Sequence, residues 1–223
     1  MAETTPRLTV TSYLDVISSW CFWAAPAWRE LQERYAGRVK FQWKVALMDE
    51  SGMPSSHAQM EWFYRRSGMM MRSPFMLKSA WHEAGMTEYL APNAVAEAAR
   101  DMGAGGDRVW LALGRAGLLK GRKTGRWETA AEIGAKAGGL EVAKLLERAK
   151  SPEIEARVRA TTAEFHAMQV NQRPTFVIDT TIGDRAVFAG FAKVAPIAAA
   201  IDAMLDDLAF YDAHAAHFGE PPA

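Results

Sequence analysis

Leu8-Thr9-Val10-Thr11-Ser12-Tyr13-Leu14, followed by Asp15-Val16-Ile17-Ser18-Ser19-Trp20-Cys21, is the stretch on which the fold turns. Its first seven residues alternate in β-prone side chains and read as a strand ending at Asp15. A turn through Val16 to Ser19 leads into Trp20–Tyr35, where Trp20, Trp23, Ala24, Ala27, Trp28, Leu31 and Tyr35 recur at helical spacing before Gly37. Pro26 lies inside that pattern and is expected to kink it, because it lacks an N–H and its ring crowds the preceding turn. Val39-Lys40-Phe41-Gln42-Trp43-Lys44-Val45-Ala46-Leu47 alternates again and gives a second strand. A β-α-β opening follows, and such crossovers are almost always right-handed.

Outward from this unit, Met48 to about Val170 reads as almost pure helix. Breaks are expected at Ser51-Gly52-Met53-Pro54, Arg72-Ser73-Pro74, Ala91-Pro92-Asn93, Gly103 to Gly106, Gly121 to Gly125 and Ser151-Pro152. Ser151 before Pro152 and Glu153 is a helix start with proline at its first position, and Ser151 to His166 forms one long amphipathic helix. Thr175-Phe176-Val177-Ile178 and Arg185-Ala186-Val187-Phe188 pair as a hairpin around Gly183-Asp184, and Ala195 to Phe210 closes the chain as an apolar-striped helix. The class is α/β: a sheet in two parts, β-α-β and β-β-α, with a large all-helical insertion between them.

The chain has 223 residues, within the range of about 250–300 residues that one core supports. Twenty-six basic residues balance twenty-six acidic ones with no dense basic run, so neither nucleic acid nor an anionic membrane surface is an expected partner. Met1 to Val10 carries Glu3, Pro6 and Arg7 rather than the apolar core of a signal peptide, and no stretch approaches the roughly 18 apolar residues that span a bilayer. The expected location is the cytoplasm. A single cysteine allows no internal disulfide, and the five histidines show no ligand spacing, so no metal site is expected. Twelve methionines and eight tryptophans suit an adaptable apolar cavity and serve equally as core filler.

Three segments carry a resemblance. Asp15-Val16-Ile17-Ser18-Ser19-Trp20-Cys21-Phe22-Trp23 resembles the DsbA-superfamily pattern of an acidic residue, two apolar residues, Cys-Pro-Trp-Cys and an aromatic. Val170-Asn171-Gln172-Arg173-Pro174-Thr175-Phe176-Val177-Ile178-Asp179 looks like the stretch bearing the cis-proline of the thioredoxin fold, and the closing hairpin and helix are the third segment. The resemblance implies a thioredoxin-like domain formed by residues 1–48 and 170–223 and an inserted helical lobe of residues 49–169. It also implies that Pro174 is cis and faces the Ser18–Cys21 loop.

In redox-active members the first cysteine of the motif is the nucleophile, and here that position is Ser18, which closes the ordinary dithiol cycle. The kappa-class glutathione transferases and the 2-hydroxychromene-2-carboxylate isomerases are similar in keeping a serine there. That resemblance implies glutathione as the thiol cofactor, with Ser18 donating to its sulfur and Ser19, Trp20, Arg173 and Pro174 around it. The substrate it implies is a small hydrophobic or aromatic molecule, and relatives that use serine often dimerise. Two departures stand out: Gly190-Phe191-Ala192-Lys193 lacks the aspartate that takes the glutathione amino group in those enzymes, and Ser19 replaces the usual proline.

Each residue also has a plainer role. Ser18 can act solely as the N-cap of the first helix, and Cys21 as a buried, inert side chain or as a lone reactive thiol. Arg173 can seat an anion or form a solvent-exposed salt bridge. Trp62, Phe63, Met69, Met70, Met71, Phe75, Met76 and Trp81 can floor a cavity or simply pack helices. Two alternatives to the glutathione enzyme follow: a thiol-disulfide oxidoreductase or isomerase using Cys21, and a redox-silent module gripping extended peptides along the Pro174 edge.

Overall fold

A computed structural model describes residues 6–49, 52–53 and 56–219. Ser51 and Pro54, read above as part of a helix break, lie outside the described residues. Strand β1 (Leu8–Leu14) leads into helix α1 (Ser19–Arg34) and strand β2 (Lys40–Val45). Helix α1 runs unbroken through Pro26. Helices α2 (His57–Met70), α3 (Leu90–Asp101), α4 (Arg108–Gly114), α5 (Trp127–Gly138), α6 (Val142–Ala149) and α7 (Pro152–Ala167) build the insertion, and α4 continues into a π-helical turn at Arg115–Leu119. Strands β3 (Thr175–Thr180) and β4 (Arg185–Ala189) and helix α8 (Val194–Phe218) complete the chain.

The strands form one sheet in the order β2-β1-β3-β4. Thr9 lies opposite Lys40 in the parallel β1-β2 pair, and Leu8 lies opposite Thr180 in the antiparallel β1-β3 pair. Alternation along the strands gives the sheet two faces. On one, Phe176 of β3 stacks on Trp28 of α1 at 6.0 Å between ring centroids, and α8 packs beside α1. On the other, Tyr13, Ala46 and Val177 enclose Phe165 of α7. The last helix of the inserted segment therefore supplies the second layer of the sheet.

Two expectations are corrected. The insertion is not helical throughout, since residues 71–89 carry no helix. That stretch is nonetheless packed: Leu77, Trp81 and Tyr89 are buried, so side-chain burial rather than helical hydrogen bonding fixes it. Pro92 does not break a helix but sits in the first turn of α3, where an N–H has no intrahelical acceptor and its loss costs little. Small side chains on α3, among them Ala94, Ala98 and Ala99, let α5, α6 and α7 gather around it. The approach is close enough that a Cβ on Gly134 of α5 would lie 2.5 Å from Cγ1 of Val95.

Candidate active site

The loop between β1 and α1 is held by buried polar groups. The carboxylate of Asp15, which has no exposed surface, accepts from Ile17 N at 2.8 Å through Oδ1 and from Met48 N at 2.9 Å through Oδ2. One side chain thus pins the loop to the segment leaving β2. Asn93 of α3, equally buried, accepts from Val16 N at 3.0 Å and donates to the carbonyl of Tyr89 at 3.0 Å. Burial pushes the Asp15 carboxyl above its ordinary value, opposed by the amides of Met48 and Ile17.

Ser18 is the N-cap of α1, and its Oγ accepts from Cys21 N at 3.3 Å. This satisfies one of the orphan amides of the first turn and leaves the hydroxyl proton available to a ligand. Cys21, one turn on, is buried, and burial pushes its thiol up to about 12, with the Ser18 hydroxyl pulling the other way. At neutral pH the thiol is protonated. Alkylation by iodoacetamide is therefore expected to be slow in the folded protein and fast once urea exposes the thiol; equal rates in the two states would show that Cys21 is reached from solvent.

The Arg173–Pro174 peptide bond is cis. Pro174 and Cys21 line the same small void of about 10 Å³, at the lower limit of what one water needs. Arg173 makes no exposed salt bridge with a described residue. Its Nε donates to the carbonyl of Ala46 at 2.6 Å, one terminal nitrogen to that of Leu47 at 2.5 Å, and the other to Asn171 O at 3.4 Å, while its guanidinium lies 4.5 Å from the Phe165 ring centroid. Each nitrogen already meets a carbonyl, so the arginine ties the proline loop to the end of β2.

A cavity of about 330 Å³ opens between this loop and α2, lined by Ser18, Ser19, Trp20, Met60, Phe63 and Arg66 among others. Of the eight apolar residues read as a cavity floor, only Phe63 and Trp81 line it. Trp62, Met69 and Met70 are exposed, and Phe75 and Met76 line other grooves. The wall is instead built from Met48, Met53 and Met60, together with Tyr64, whose hydroxyl accepts from Trp81 Nε1 at 2.9 Å. Among the described residues Arg66 is the one charged side chain in the lining, packed over the rings of Trp62 and Phe63 at 5.3 and 5.0 Å. The roles of Asp15 and Asn93 depend on contacts across 33 and 77 residues, although an asparagine amid the alanines of α3 was a visible irregularity.

A family model described as a DSBA-like thioredoxin domain matches residues 9–202. The chain belongs to that family. The DSBA-like chain also superposes on solved structures. With the cytosolic disulfide reductase DsbM from Pseudomonas aeruginosa the TM-score is 0.71 at 16% identity, covering 89% of this chain and 98% of that one. A second structure of DsbM, solved with GSH, gives 0.69 at 15% identity over 89% and 99%. The 2-hydroxychromene-2-carboxylate isomerase gives 0.62 at 13% identity over 91% and 98%. At these identities the likeness establishes the fold. No curated protein matches the sequence. Among the described residues no helix is long and apolar enough to cross a membrane, and no group of three or more potential ligands gathers to hold a metal.

Proposed function

We propose that this DSBA-like protein is a cytoplasmic, glutathione-dependent transferase or isomerase acting on a small hydrophobic or aromatic molecule. The observation that carries this is the division between the two motif positions: Ser18 lines a cavity, whereas Cys21 is buried outside that lining with its thiol held neutral. A neutral thiol is a poor acceptor, so a thiolate entering the cavity competes well for the Ser18 proton. The residues fit glutathione in three respects: Ser18 offers the sulfur a donor, Arg66 offers a carboxylate a cation, and Trp20, Met60 and Phe63 give an apolar body a surface. Ala192 stands where the related enzymes place an acidic residue, so that position offers the amino group no carboxylate.

Glutathione supplies the nucleophilic sulfur when bound. The protein's own residues do the rest: Ser18 stabilises negative charge on the sulfur, the amides at the start of α1 add to that field, and Met48, Met53 and Met60 exclude water. Burial of Cys21 argues against the alternative that uses it as a lone redox thiol.

Calorimetric titration of the reduced protein with glutathione tests the reading. Binding at millimolar or tighter affinity is expected, unchanged in Cys21→Ser and weakened about tenfold in Arg66→Ala, the loss of one partly exposed charge contact. Absence of binding heat, or binding lost in Cys21→Ser and kept in Arg66→Ala, would sink it.

A further inference from the structure

A second and larger recess lies away from the Ser18 cavity. It has a volume of about 950 Å³ and runs between the π-helical turn that follows α4 and the outer face of α5, with Phe22 and Phe75 also in its lining. Leu119 and Ile133 add further apolar lining, and Arg115, Lys120, Arg122 and Lys136 stand among the same lining residues. The one acidic member, Glu132, is paired with Arg122 at 3.4 Å, and no described residue pairs with Arg115, Lys120 or Lys136. In a chain whose formal charges cancel, three unneutralised cations around one apolar groove are a local excess. Converging charges of one sign above a low-dielectric floor raise the concentration of the opposite ion.

We propose that this groove binds an amphipathic anion, a single carboxylate head on an aliphatic tail, with the tail along Phe22, Leu119 and Ile133 and the head among Arg115, Lys120 and Lys136. The volume is at the upper end of the range of roughly 300–1,000 Å³ typical of small-molecule sites. Helices form its walls and use their backbone groups internally, so there is no strand edge on which an extended peptide could pair. A neutral apolar ligand would leave the cations without purpose, and a small inorganic anion would leave the floor uncovered. The groove is independent of the thiol chemistry proposed above.

Titration with monomeric decanoate, followed by calorimetry and by the methyl resonance of Ile133, tests it. Saturable binding is expected. It weakens about tenfold or more in Lys120→Glu/Lys136→Glu, exposed positions whose change leaves the core intact, and it is unaffected by Ser18→Ala or by glutathione. Decanol, with the same tail and no charge, binds at least about tenfold more weakly. Equal affinity for decanol, competition with glutathione, or indifference to the double charge reversal would overturn the proposal. So would a protein that ignores decanoate while binding an acidic amphipathic peptide or sedimenting with phosphatidylglycerol vesicles.

Discussion

Replacing Ser18 with alanine is expected to lower the rate of glutathione addition to an aromatic electrophile, such as a chlorodinitrobenzene, by about 10- to 100-fold. The figure follows from the roughly 1.5–3 kcal/mol that a hydrogen bond to a charged group contributes. The same interaction lowers the pKa of the bound thiol, so the ultraviolet absorbance of the thiolate should titrate about 1–2 pH units higher in the variant than in the wild type. Helix α1 itself should suffer less, since an N-cap serine replaced by alanine costs about 1 kcal/mol. Cys21→Ser is the matched control: a buried thiol held neutral by its surroundings carries no charge for the reaction to use, and its rate should stay near that of the wild type. If Cys21→Ser abolished turnover while Ser18→Ala retained it, the roles assigned to the two positions would have to be exchanged.

The second large effect concerns Asp15. Asp15→Ala strips the acceptors from Ile17 N and Met48 N, both close to the site and both turned toward a fully buried side chain. Each orphaned buried donor costs about 1–3 kcal/mol, so urea unfolding should show a loss of about 2–5 kcal/mol. A loss below about 1 kcal/mol would mean that water or another carbonyl takes over both amides. The pH dependence has a definite sign. Because burial raises the folded-state value of Asp15, the folded protein binds its proton more tightly than the unfolded chain does. The stabilisation this confers is complete below the ordinary carboxylate value and fades as pH rises through the elevated one. Asp15→Asn, which cannot titrate, should therefore remove a downward slope in stability that sets in as pH rises above the ordinary carboxylate range.

Much of this fold could be read from the sequence where periodicity and packing agree. Leu8–Leu14 alternates and is a strand with those bounds, and Ser151-Pro152 opens a helix with Ser151 Oγ accepting from Ile154 N at 3.3 Å. The closing helix was expected to end at Phe210 and continues to Phe218, because Phe210, Tyr211 and the residues beyond are exposed and propensity alone extends it. Residues 71–89 were misread because apolar side chains such as Leu77 and Trp81 reach the core from irregular backbone, which leaves no period to detect. The candidate site has Ser18 and Trp20, which local sequence singled out, in its lining, whereas Pro174 lies outside that lining, in the small void it shares with Cys21. It was not legible at Arg173, whose carbonyl acceptors at Ala46 and Leu47 come from a segment 126 or more residues away, nor at the methionines of the cavity wall, which composition could only count.

The placement of β1 inside the sheet, with Leu8 opposite Thr180, bears on how the chain is made. During synthesis β1, α1 and β2 leave the ribosome well before β3, so the edge of β1 that β3 will cover stays open while the intervening helices emerge. Contacts between segments so far apart in sequence form late and slowly, and an uncovered strand edge invites pairing with other chains in the interval. Nascent chains halted before Thr175 lack the strand that seals that edge. Such truncated products should depend on chaperones and accumulate as aggregates, whereas chains that include the β3–β4 hairpin can cover the edge.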